Sequence, residues 1–148
     1  MSKSFSLQPL LELMQTRTDD ASRRLGQLIA AEQSAKSRLQ LLEQYREEYN
    51  QRFREASQGG LSPQAWRNYQ EFLARIDEAI QQQTQVVYGA ERHTAAGQEQ
   101  WREQNKRLKA IDTLSQRHRS AQALAEGRQE QKHLDELTSR RYVKPPSD

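Results

Sequence analysis

The sequence contains no cysteine and no long apolar run. Without cysteine, disulfides, CxxC metal sites and thiol catalysis are excluded. No segment approaches the ~18–20 apolar residues of a membrane-spanning helix. The first residues, MSKSFSLQPLLELM, have too short an apolar stretch and no small-residue cleavage site, so we expect no secretory signal. These absences favour a reducing, cytoplasmic location.

Apolar and aromatic residues are scarce along the whole chain. Only 34% of the 148 residues are hydrophobic, 7% are aromatic and 29% are charged, and the mean hydropathy is -1.11. So polar a chain cannot fill a spherical core. Its abundant Gln, Glu, Arg, Leu and Ala are good helix formers. The composition therefore favours a thin helical protein whose core is an apolar stripe, rather than a globule.

Residues that break helices cluster at one internal site, SQGGLSPQ (57–64). Gly59 or Gly60 suits the left-handed position that ends a helix. Ser62 followed by Pro63 is typical of a helix start. The segment therefore predicts a tight turn between two helices.

The remaining prolines lie near the two ends of the chain. Pro9 falls in the first turn of a helix capped by Ser6, where a missing N–H is tolerated. Pro145 and Pro146 end any helix that precedes them. We predict one coiled-coil domain over 1–148. Its parts are a helix of about 6–57, a turn of about 58–62, a helix of about 63–140 and a disordered tail at 141–148.

A seven-residue apolar repeat runs through both predicted helices. Steps of three and four residues from Leu7 to Ala56, and from Trp66 to Ile111, meet mostly apolar side chains. A strict period of 3.5 predicts a left-handed coiled coil, and a short turn makes the helices antiparallel. We predict an all-α fold, a long antiparallel two-helix coiled-coil hairpin with a longer, overhanging second helix. The repeat fails past Ile111, so about 115–140 should be unpaired.

Several apolar side chains lie beside this seam rather than in it. Trp66, Tyr69 and Ile76 occupy seam positions and are predicted to be core. Beside the seam, near the turn, one patch contains Leu41, Tyr45, Phe72 and Ala79, edged by Leu42, Tyr49 and Ile76. The patch is compatible with a partner site, or with stacking of Tyr45 on Phe72 to widen the core.

A second, weaker group of apolar side chains lies at the other predicted end of the hairpin. Leu10 and Leu13 fall off the seam, at the height of Ile111 and Leu114. They are compatible with a second partner site or with a cover for the hairpin end.

The sequence lacks the patterns that catalysis or metal binding requires. His93, His118 and His133 have no metal-ligand spacing, and the glycines at 59–60 are not followed by the Lys-Ser/Thr of a phosphate loop. Carboxylates are scattered, and a two-helix rod has no enclosed pocket. We therefore expect no enzyme, no cofactor, no metal and no small-molecule substrate.

A basic run occupies residues 101–119, within a chain of net charge +3. Its cations are Arg102, Lys106, Arg107, Lys109, Arg117 and Arg119. These cations do not all lie on one face of the helix, and no aromatic residues beside them offer a surface on which bases could stack. A solvated face and a surface for an acidic protein are both compatible with the run. Nucleic acid is not an expected partner.

Five segments together resemble the flagellar export protein FliJ of bacterial type III secretion. They are DDASRRLGQL (19–28), LLEQYREEYN (41–50), WRNYQEFLARIDEAI (66–80), QWREQNKRLKAIDTLSQRH (100–118) and LAEGRQEQKHLDE (124–136). The resemblance implies a stalk-like coiled coil that binds the hexameric export ATPase and the cytosolic domain of the export gate, and that escorts export chaperones. It also implies a cytoplasmic protein that associates peripherally with the inner membrane at the flagellar base.

The resemblance places the gate contact on the patch near the turn. The gate-binding residues are then Leu42, Tyr45, Tyr49, Phe72, Ile76 and Ala79. The stalk analogy, together with charge, places ATPase binding at the end that carries both termini. The residues there are Leu10, Leu13, Arg117, Arg119, Arg128 and Lys132. The alternatives are a stalk protein of a virulence injectisome, or a basic coiled-coil protein that binds nucleic acid or acts as a scaffold.

Overall fold

Two helices make up nearly all of residues 6–142, the part of the chain that the computed structural model describes. Helix α1 spans Gln8–Gln58 and helix α2 spans Pro63–Tyr142, and no strand occurs between residues 6 and 142. The short connection makes the helices antiparallel, so the predicted all-α two-helix hairpin is confirmed. Of the predicted tail, residues 141 and 142 belong to α2, and 143–148 lie outside the described residues.

The turn between the helices places Gly60, Ser62 and Pro63 in the backbone positions that these residue types favour. Gly60 has φ of 85°, and its N–H donates to the carbonyl of Ser57 at 3.2 Å. A side chain is strained at such an angle, so glycine suits this position. Ser62 caps α2 by accepting a 3.2 Å hydrogen bond from the Ala65 N–H, and Pro63 is the first helical residue.

The predicted seam is the covered face of both helices. In α1, every seam position from Leu7 to Ala56 except Arg46 is at least partly buried. In α2, every seam position from Tyr69 to Ile111 is at least partly buried. The prediction that the seam fails past Ile111 is wrong, because Ser115 is only 4% exposed and the coverage continues as far as Gln122.

The chain divides into two compact units. The terminal unit comprises Met1–Thr18 and Gln104–Asp148, and the turn unit comprises Asp19–Glu103. In the turn unit the buried side chains include Ala35, Ile76 and Val87. In the terminal unit, residues 123–141 of α2 are exposed throughout, so this stretch has no covered face.

Polar groups join the two helices within each unit. In the turn unit the Gln83 amide donates to the carbonyl of Ala35 at 3.0 Å, and the Thr94 hydroxyl donates to that of Leu28 at 3.3 Å. In the terminal unit the Thr18 hydroxyl lies 3.3 Å from the carbonyl oxygen of Gln104. These polar contacts form in only one register of the two helices. In a shifted register the buried polar groups would lose their hydrogen-bond partners.

Neither helix, over residues 6–142, contains a stretch that is apolar and long enough to cross a membrane.

Candidate protein-interaction surfaces

Five aromatic rings form a row across the two helices of the turn unit. Tyr49 lies 4.1 Å from Phe72 and 5.3 Å from Tyr69, between ring centroids. Phe53 lies 5.2 Å from Trp66 and 5.4 Å from Tyr69. These distances are typical of favourable aromatic pairs. The row fixes the positions of the rings beside the seam.

Tyr45 and Phe72 present much of their surface to solvent. Tyr45 is 51% exposed, and Phe72 is also exposed although it stacks on Tyr49. Within residues 6–142 Tyr45 makes no ring contact, so the alternative in which Tyr45 and Phe72 stack to widen the core does not describe this structure. Tyr45, Glu48, Tyr49, Arg52 and Phe72 line an open groove of about 320 Å³. Exposed rings beside a groove are typical of protein interfaces.

The six residues predicted to bind the export gate all lie in the turn unit, but their burial differs. Tyr45 and Phe72 are exposed, Leu42, Tyr49 and Ala79 are half-buried, and Ile76 is buried. A partner could contact the first two directly, whereas Ile76 can only support them from the core.

Trp66 departs from the prediction that it is core, because 47% of its surface is exposed. Its seam position lies at the beginning of α2, beside the turn, and its ring packs on Phe53. The seam ends at the turn, so only part of this large ring can be covered. The proximity of Trp66 to SQGGLSPQ was the sequence signal for this exposure.

The terminal unit has exposed apolar side chains of its own. Leu10 and Leu13, predicted to bind the ATPase, are exposed, as is Leu114. Their exposure favours a surface role over the alternative that they cover the hairpin end. Sequence reasoning missed three further exposed leucines in the uncovered stretch of α2. These are Leu124, Leu134 and Leu137.

The four cations predicted to bind the ATPase fall into two classes. Arg119 donates to the Gln8 side-chain oxygen at 3.2 Å, which holds it against α1. Arg117, Arg128 and Lys132 are exposed and have no ion-pair partner among residues 6–142. These three are therefore available to an acidic partner, and Arg119 is less so.

Residues that could hold a metal do not come together in the described part of the chain. No group of three His, Cys, Asp or Glu side chains in residues 6–142 has the geometry for a metal ion. What the two units offer chemically is apolar and charged side-chain surface, which is suited to binding other macromolecules.

Comparison with known proteins identifies the family. The model of the family described as "Flagellar FliJ protein" matches residues 2–147. Flagellar FliJ proteins of Salmonella typhi and of Escherichia coli (strain K12) are each 32% identical over 146 residues, covering 99% of this chain and 99% of the relative. The chain therefore belongs to the flagellar FliJ family and is a component of the flagellar export apparatus.

Proposed function

We propose that the chain is a non-enzymatic, stalk-like coupling factor of flagellar protein export. Its terminal unit binds the export ATPase hexamer, and its turn unit binds the cytosolic domain of the export gate. In the same cycle it escorts export chaperones, acting in the cytoplasm and associating peripherally with the inner membrane at the flagellar base. It needs no cofactor, metal or small-molecule substrate for this role.

The observation that carries the proposal is the exposed aromatic surface of the turn unit. Tyr45 and Phe72 flank the groove, while Tyr49 supports Phe72 from behind at 4.1 Å. Because Tyr49 holds the Phe72 ring in place, Phe72 loses little conformational entropy when a partner covers it, which favours its use as an anchor.

The gate assignment predicts that Tyr45→Ala weakens binding of the gate's cytosolic domain by at least about tenfold, since aromatic anchors contribute roughly 2 kcal/mol or more. Tyr88→Ala is the matched control, because Tyr88 is the same residue type, is 52% exposed and lies on the other flank of α2. Binding is measured by calorimetry with the full chain, and helical melting is measured for each variant.

Each outcome of this comparison is informative. Loss of gate binding in Tyr45→Ala but not in Tyr88→Ala, with unchanged melting, supports the gate site. Equal effects of the two variants would contradict it. If the wild-type chain bound neither the gate nor the ATPase, the injectisome, nucleic-acid and scaffold alternatives would take precedence.

The ATPase assignment is supported by free charge in the terminal unit. Arg117, Arg128 and Lys132 are exposed and unpaired among the described residues, and exposed leucines lie on the same stretch of α2. Cations at the rim of an interface increase the association rate and make affinity dependent on salt.

Reversing these three charges should therefore weaken ATPase binding at low ionic strength and flatten its salt dependence. The variant is Arg117→Glu with Arg128→Glu and Lys132→Glu, assayed by surface plasmon resonance at low and high salt. Arg67→Glu with Arg92→Glu provides a control in the turn unit, where both arginines are exposed. An unchanged affinity of the triple variant at low salt would rule out this ATPase surface.

A further inference from the structure

The apolar surface of the turn unit extends beyond the six residues considered above. Phe72, Ala79 and Val86 follow one another at seven-residue spacing on α2, so they form a line of roughly 21 Å at ~1.5 Å per residue. Val86 is 53% exposed, so it adds a solvent-facing aliphatic side chain to this line. The surface therefore has the form of a stripe that continues past the aromatic groove.

Side chains of α1 form the second border of this stripe. Tyr45 shares the groove with Phe72, and Leu41, four residues earlier on α1, lies on the same face of the helix and is exposed. Ala79 is small and stands between the larger Phe72 and Val86. A row in which a small residue separates two large ones accepts the knobs of another helix.

Three arginines lie along the stripe without carboxylate partners. Arg52 lines the groove, Arg75 lies one helical turn from both Phe72 and Ala79, and Arg38 lies one turn from Leu41. All three are exposed and have no ion pair among residues 6–142. Glu48 is the one carboxylate that lines the groove. The border of the stripe is therefore positive.

Several cations on the opposite flank of the same unit have carboxylate partners. Arg46 donates a hydrogen bond to the carboxylate of Asp77, and this bond raises the pKa of the Arg46 guanidinium. Lys36 pairs with Glu91, and Arg54 pairs with Glu47. The stripe side differs in that none of its three arginines has such a partner among residues 6–142.

We propose that the stripe of Leu41, Tyr45, Phe72, Ala79 and Val86 is a docking groove for an acidic amphipathic helix. The proposal rests on the proposed function, because it uses the same surface, and it adds the chemistry of the segment that binds there. Both helices satisfy their backbone hydrogen bonds internally, so a partner strand would find no backbone to pair with. A partner helix can match the seven-residue spacing, and its flanking carboxylates would meet Arg38, Arg52 and Arg75.

The test uses the full chain and two synthetic stapled helical peptides of about 21 residues. Both carry leucine at the a and d heptad positions, and their flanking positions are glutamate in one and lysine in the other. Fluorescence anisotropy should show the glutamate peptide binding at least about tenfold more tightly at low salt, with the difference shrinking as salt rises. Equal binding of the two peptides, or preference for the lysine peptide, overturns the proposal.

Two sets of variants locate the peptide on the stripe. Arg38→Gln with Arg52→Gln and Arg75→Gln should abolish the preference for glutamate. Val86→Asp should weaken binding of the glutamate peptide by at least about tenfold, because it puts a like charge and a polar group into the groove. Tyr88→Asp is the control, since Tyr88 is equally exposed on the other flank. If Tyr88→Asp weakened binding as much as Val86→Asp, the stripe assignment would be wrong.

Binding of the gate domain to the same variants separates this inference from the proposed function. If Tyr45→Ala loses the gate while the glutamate peptide shows no preference, the inference fails and the gate site stands. If the wild-type chain does not bind the gate while the peptides behave as expected, the groove stands and the gate assignment fails.

Discussion

Replacing Val87 by aspartate is expected to destabilise the turn unit strongly, whereas the same replacement at Val86 leaves its stability nearly unchanged. Val87 is 5% exposed and Val86 is 53% exposed, although the two are adjacent. An aspartate at position 87 would place an unpaired charge in the seam, which costs about 3–5 kcal/mol. Because total stabilities are roughly 5–15 kcal/mol, such a loss is a large fraction of the whole.

The measurement is thermal and urea unfolding of both variants followed by circular dichroism. Val86→Asp serves as the control, because it introduces the same side chain one residue away. Unfolding of Val87→Asp at much lower urea, with Val86→Asp close to wild type, is the expected result. Similar midpoints for the two variants would contradict the assignment of Val87 to the seam. The stability of Val86→Asp also decides whether that variant is a clean probe of the docking groove.

The contrast between Val86 and Val87 shows how much of the fold was predictable from periodicity. A strict seven-residue repeat assigns Val87 to the seam and Val86 to the flank, and the structure agrees. The turn was predictable too, since Gly60 and Ser62 are suited to few other roles. Both signals are local, because they depend on side-chain phase or backbone angle and need no knowledge of distant contacts.

The extent of the seam could not be predicted from apolar spacing. Ser115, His118 and Gln122 continue the covered face of α2, yet none of them is apolar. Their burial depends on where the N-terminal end of α1 lies. In the terminal unit Ser6, Leu7 and Gln8 line one small groove with Ser115, His118, Arg119 and Gln122. The spacing of apolar residues in α2 does not indicate which of its polar positions a neighbouring helix will cover.

The candidate surfaces were predictable in part. Heptad phase placed Tyr45 and Phe72 beside the seam, and both are exposed. It could not distinguish Arg119, which is bonded to Gln8, from Arg117, which is free among the described residues. That distinction depends on a contact between residues far apart in the sequence, which the spacing of cations cannot reveal.

Gly97 is a seam position at which the sequence offers no apolar side chain. The structure shows that the space is already filled from α1. A Cβ atom added at Gly97 would lie 2.6 Å from Leu28 Cδ1 and 3.6 Å from Leu25 Cδ1. Glycine is unfavourable in a helix by about 1 kcal/mol relative to alanine, so its place here is explained by the close approach of these leucines.

Gly97→Leu is therefore expected to destabilise the turn unit by about 1–3 kcal/mol, because the new side chain overpacks the seam against Leu25 and Leu28. Gly89→Leu is the matched control on the same helix, since no atom lies within 4 Å of a Cβ added at Gly89. That variant should be stabilised by roughly 0.5–1 kcal/mol through helix propensity alone. The opposite signs of the two changes are measured as shifts of the urea midpoint.

A double-mutant cycle tests whether Leu28 is the cause. Leu28→Ala alone should destabilise by about 1–3 kcal/mol, because it removes a half-buried side chain that packs against Gly97. In the double variant Leu28→Ala with Gly97→Leu, the leucine introduced at position 97 can occupy the space that the Leu28 side chain filled. The combined loss should therefore fall short of the sum of the single losses by roughly 1 kcal/mol or more. Additive losses would show that the two positions do not compete for one volume, and the close approach would then need another explanation.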